Sequence, residues 1–284
     1  MNTSLALSLA GVLALTVAGL TWLVRRRRAA RILYRRTLEH ALADGVLTPE
    51  ETAELARIRE EADLTHAEVR MAARAIYRTA LRSALADTRL TADEDAALTR
   101  LQHQLGLSHA DVAEDAAQLA RLRLLSRVET GELPSVEAPT TLVPHEVCHW
   151  VVQASLADRL DLPGRGRVPI TGIDISINGG KPFSAAGRRE ALKPREDILP
   201  IDLGMFIVTS RRAIFQGTRR TVSVPHARLE NLRLYADGIR IDEFGHEARG
   251  FVLVDDAELT AAILLQAARH RREEIRPTRR GRSA

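Results

Sequence analysis

The sequence predicts a multidomain α and β chain: one transmembrane helix, a duplicated all-α helical bundle, then an antiparallel β barrel closed by a C-terminal helix. Three observations carry this. An uncharged stretch, residues 4–24, runs straight into four arginines. Residues 30–72 recur, without a gap, as residues 73–115. Beyond a proline-bearing segment, residues 129–144, the spacing of apolar residues changes from helical to alternating. The expected parts are an anchor with its arginine stop (1–28), a helical domain (29–128), a linker (129–144), a β domain (145–270) and a basic disordered tail (271–284).

Twenty-one uncharged residues at about 1.5 Å each span roughly 31 Å, the thickness of a bilayer's hydrocarbon core. Trp22 falls near one end, where an amphipathic ring prefers the headgroup region. Arg25, Arg26, Arg27 and Arg28 follow, then Arg31 and Arg35, while no Lys or Arg precedes the stretch. The positive-inside bias therefore expects the N-terminus outside and the bulk of the chain in the cytoplasm. These six arginines are the expected contacts with anionic headgroups, each worth about 1 kcal/mol close to the surface. A cleavable signal peptide needs a basic start and a small-x-small site, and neither is present.

The net charge of +4 conceals basic ends and acidic stretches at 44–68 and 87–115. A lone cysteine, Cys148, excludes an internal disulfide framework. The arginine-rich tail could suggest nucleic acid, but no stacking aromatics interleave with it, and no nucleic-acid partner is expected.

The repeat has 19 identities over 43 aligned positions. Tyr34 matches Tyr77, Leu38 matches Leu81, Leu55 matches Leu98 and Leu64 matches Leu107. Thr48-Pro49-Glu50-Glu51 and Thr91-Ala92-Asp93-Glu94 read as helix starts with capping boxes, as do Thr65 with Glu68 and, approximately, Ser108 with Asp111. About five helices ending near Arg127 are expected. Asp44-Gly45 invites a calcium-loop reading, but Leu42 and Leu85 would occupy ligand positions, and a leucine supplies no oxygen. The paired helix-loop-helix plan is similar to TerB-like or degenerate EF-hand-like modules of bacterial envelope proteins.

His145-Glu146-Val147-Cys148-His149 satisfies the HExxH zinc-protease spacing. That chemistry needs a helix, where two histidines four apart close on one metal and the glutamate acts as general base. On a strand the same histidines lie about 13 Å apart. Cys148, Trp150, Val152, Ala154 and Leu156 alternate with polar residues and favour the strand. His145 and His149 as metal ligands, with Glu146 as base, remain the alternative.

Further strands are expected at 172–177, followed by an Asn178-Gly179 hairpin turn, and at 203–209, 212–216, 220–225, 229–235, 239–244 and 250–254. Asp255-Asp256 caps a closing helix with Leu259, Ile263, Leu264 and Ala267 inward. Asp202-x-Gly204-x-Phe206-x-x-Thr209-x-x-Arg212-x-x-Phe215-x-Gly217 resembles the hairpin of bacterial GRAM/PH-like domains, with Phe206 in place of a leucine. The resemblance covers residues 145–270 and implies a pleckstrin-homology-like barrel that binds lipid or peptide and carries no catalytic residues.

Arg188, Arg189, Arg211, Arg212, Arg219 and Arg220 fall at expected turns, where loops could present them to an anionic ligand. No nucleophile–base pair, phosphate loop or cofactor fingerprint is found, and no cofactor is expected. The expected function is therefore that of a non-enzymatic adaptor at the plasma membrane of a bacterium, with a bilayer and an unidentified protein as partners. A membrane-tethered zinc protease is the alternative.

Overall fold

The computed structural model describes residues 3–42, 47–86, 89–160, 169–177, 187–193, 195–241 and 250–275, and within the first helix not the side chains of residues 3–20 and 23. The chain divides into two compact units, 1–123 and 124–284.

The first unit is helical: α1 (Thr3–Ala41), α2 (Pro49–Glu61), α3 (His66–Ala84), α4 (Ala92–Gln104) and the start of α5 (Ala113–Glu129), which follows a 3₁₀ turn at His109–Val112. Thr48, Thr65 and Thr91 cap their helices as expected. Each hydroxyl accepts from the amide three residues on, and each Glu side chain reaches back to the cap's own amide. Ser108 shares the return half of this box, donating its amide and hydroxyl to Asp111 as the threonines donate theirs to glutamate.

The duplication extends to contacts. Tyr34, Leu38, Leu55, Ile58 and Leu64 make one core, and Tyr77, Leu81, Leu98 and Leu107 make its counterpart. Arg31 pairs with Glu68 at 3.0 Å, and Arg74, 43 positions on, pairs with Asp111. The α3 helix serves both copies: it closes the first with Ile76 and opens the second with Tyr77.

Among the described residues no helix is long and apolar enough to cross a membrane. The expected anchor, residues 4–24, falls almost entirely on side chains outside that set, as do Asp44 and Gly45 of the calcium-loop reading.

The second unit is an eight-stranded antiparallel sheet, with strands β1 (Cys148–Arg159), β2 (Ile173–Ser176), β3 (Ile198–Thr209), β4 (Arg212–Gly217), β5 (Thr221–Pro225), β6 (Asn231–Leu234), β7 (Gly238–Ile241) and β8 (Gly250–Leu253). Their order is β2-β6-β7-β8-β1-β3-β4-β5, so the expected closed barrel is corrected to an open sheet. The two open edges are β5 and β2. Pro225 ends β5, and the 3₁₀ turn His226–Arg228 leads on to β6. The helix α6 (Ala257–Ile275) packs beside this turn, with Arg272 donating to the carbonyl of Leu229.

A second correction concerns β2. It pairs with β6 and not with the next strand in sequence, and the expected Asn178-Gly179 turn lies outside the described residues. The long central strand β1 pairs with β3 along its length and with β8 over Ser155–Asp158.

Phe206, Phe215, Leu232, Ile239, Val252, Ile263 and Leu264 fill the space between the sheet and α6. Trp150 Nε1 donates to the buried Thr260 hydroxyl at 3.1 Å and fixes the helix on β1. Leu125 and Val128, at the end of α5, join this core. The segment after them packs on the sheet's other face, where Ala138 and Leu142 meet Cys148, Ile207 and Ile214.

Candidate functional site

The hairpin motif that carries the resemblance is spent on the fold. Asp202 accepts from the amides of Leu203, Thr218, Arg219 and Arg220 and from the Thr218 hydroxyl at 2.7 Å. Burial alone would raise its pKa, but the Thr218 hydroxyl and these amides outweigh it and hold the carboxyl down to about 2. Gly204 and Gly217 face each other in register because a side chain has no room at either. A Cβ would come within 2.1 Å of the Gln216 carbonyl at Gly204, and within 2.2 Å of Asp202 at Gly217. Phe206 and Phe215, also opposed, are core residues.

Thr209 accepts from the amides of Arg211 and Arg212, and its hydroxyl lies 2.6 Å from Glu146 Oε1. Glu146, whose side chain is wholly buried, holds Arg212 through both oxygens at 3.0 and 3.1 Å. Its pKa would be raised by burial, but the Arg212 guanidinium, the Thr209 hydroxyl and the Val143 amide bring it below the usual range. The fully buried His226 adds to this knot, with its Nε2–H donating to the Thr209 carbonyl at 2.7 Å. Burial pushes the His226 pKa down to about 4.

The HEVCH residues lie on a turn and a strand. Glu146 N donates to Val143 O, closing a turn that holds His145 at φ +63°, a left-handed conformation uncommon outside glycine. Cys148 opposes Thr209 and Trp150 opposes Val208, which leaves His149 as the extra residue of a β-bulge. The bulge corrects the expected alternation: Cys148 turns to the outer cluster with Ile207, while Trp150 packs against the inner core. His149 Nδ1 bonds the carbonyl of Pro134 at 2.7 Å, which leaves Nε2 for a ligand, and burial lowers its pKa. Among the described residues no group of three or more His, Cys, Asp or Glu is placed to hold a metal ion.

These irregularities open a cleft of about 430 Å³. His145, Val147 and His149 form one wall, Ser210 and Arg211 of the β3–β4 turn a second, and Ala267, His270, Arg271 and Glu274 of α6 the third. Arg271 is bonded to Glu274 at 2.9 Å, whereas Arg211 has no acid partner among the described residues. A wider groove of about 740 Å³ near Gln153, Leu203 and Thr218 is lined by Lys193, Asp237 and Asp255, so its acids outnumber its one cation, and Asp237 is committed to the amides of Leu192 and Lys193.

The expected arginine loops are not brought together as one site. Arg211 and Arg212 sit at one end of β4, and Arg219 and Arg220 at the other, roughly 17 Å away at 3.3 Å per residue. Arg189 approaches Glu258 at 3.7 Å, and Arg188 is exposed. Of the membrane-facing set, Arg27, Arg31 and Arg35 reach Asp63, Glu68 and Glu39. Arg26 stacks over Trp22 at 5.4 Å, and Arg25 and Arg28 are exposed.

Sequence reasoning missed the α6 wall. Its signal was the spacing of Ala267, His270, Arg271 and Glu274, which places them along one side of a helix read for its apolar side alone. No protein-family model matches the chain, and no curated protein matches it.

Proposed function

We propose that the chain is a non-enzymatic, single-pass membrane-tethered adaptor of a bacterium, facing the cytoplasm, with a helical module and a PH-like binding module. The observation that carries this is α1. It runs as one helix from Thr3 to Ala41, through the uncharged stretch and the arginine cluster and into the first repeat. Tether and helical module are then one continuous rod, and Arg25, Arg26 and Arg28 are exposed where anionic headgroups would meet it.

The PH-like reading draws support from the antiparallel run β1 and β3–β8, whose first strand pairs with its last and against whose core a C-terminal helix packs. The extra strand β2 and the open edge are departures from that plan. The use made of HEVCH also favours binding over proteolysis: its glutamate is locked to Arg212, and its histidines occupy a turn and a bulge.

Zinc analysis of the full chain purified in a neutral detergent separates the two readings. The adaptor carries no stoichiometric zinc and cleaves no peptide substrate. Bound zinc lost together with peptidase activity in His149→Ala would replace the adaptor by the protease.

A further inference from the structure

We propose that the cleft between the β3–β4 turn and α6 is an oxyanion site that takes a phosphoryl group. The inference rests on the cleft alone and stands whether or not the chain is tethered. Its walls come from three separate elements, and each brings a cationic or protonatable donor: His145 and His149, Arg211, and His270 with Arg271. The one acid among the lining residues, Glu274, is already bonded to Arg271. That leaves Arg211 as uncompensated charge in a recess whose volume, about 430 Å³, suits a small ligand or a headgroup. A tetrahedral phosphoryl group offers oxygens to three sides at once, whereas a planar carboxylate offers two.

The histidines add an adjustable part. The bond from His149 Nδ1 to Pro134 leaves Nε2 as an acceptor when the ring is neutral and a donor when it is protonated. The groups around it are His145, Arg211, Arg271, Glu274 and His270, whose Nε2 is bonded to Gln266, with the buried His226 and Glu146 behind, the latter neutralised by Arg212. A bound dianion shifts that balance towards the imidazolium, so binding takes up a proton and strengthens as pH falls.

Calorimetric titration of the full chain in neutral detergent, with inorganic phosphate and with sulfate, tests this. Sulfate keeps its charge across the range, so its pH dependence reports the protein. The expected result is one site per chain, with sulfate affinity rising on acidification and falling about tenfold in Arg211→Ala. The control Arg219→Ala, at the far end of β4, should bind as the parent does. Melting without anion verifies that each variant is folded, and Arg271→Gln repeats the test from the α6 wall. Vesicles containing a phosphoinositide identify the source of the group: retention lost in Arg211→Ala points to a lipid headgroup, whereas binding to free phosphate alone points to a soluble ligand. Absence of binding to any of the three probes, or equal binding by the parent and both cleft variants, overturns the proposal.

Discussion

At the scale of single residues, the second unit is held by a few polar groups whose burial makes them unforgiving. Arg212 is the clearest case, since removing it leaves the Glu146 carboxylate buried without its counter-charge. Arg212→Met should cost about 3 kcal/mol in urea unfolding, and adding Glu146→Gln should recover part of that loss, because the stranded charge is gone. A double variant no more stable than the single one would show that Glu146 is solvated in some other way. His226 imposes a pH dependence. Its folded pKa of about 4 lies below the ordinary 6.5, so the unfolded chain binds the proton more readily. Stability is then full above about pH 6.5 and declines between 6.5 and about 4, by at most about 3 kcal/mol. Urea midpoints measured against pH should flatten in His226→Gln, with the smaller share due to His149 remaining. A variant curve as steep as the parent's would remove His226 from the account.

At the scale of elements, what could be read from the sequence depended on how local the governing interaction was. Capping boxes span three residues, and all three threonine caps stand where their pattern put them. Thr48→Ala, Thr65→Ala and Thr91→Ala should each lower stability by about 1 kcal/mol in thermal or urea unfolding. Because the caps belong to separate helix starts, the losses should add; a triple variant that loses no more than a single one would mean that these ends fray in the native state. The strands after Thr209 were legible by alternation and turn residues. The partner of β2 was not, because pairing Ile173–Ser176 with Asn231–Leu234 is a tertiary choice across more than fifty residues of chain. Nor was the bulge at His149, which depends on the register of β3. Thus HEVCH could be read as a motif, while its geometry, a turn and a bulge, could be read only in the fold. The cleft was half legible: Arg211 and the two histidines drew notice by type and spacing, and the α6 wall did not.

At the scale of the whole chain, two kinds of surface are proposed, an anchor with its arginines and a cleft with its histidines. The central claim is the tether, since it decides which molecules the rest can meet. Its most direct measurement is fractionation of cells expressing the full chain, with alkaline washing of the membranes and protease treatment of sealed spheroplasts. A tethered chain stays in the washed membrane pellet. A tag placed before Met1 is removed by external protease, a tag after Ala284 is protected, and deletion of residues 4–24 releases the chain to the soluble fraction. Full-length chain recovered in the soluble fraction, or a C-terminal tag cleaved from outside, would contradict the tether.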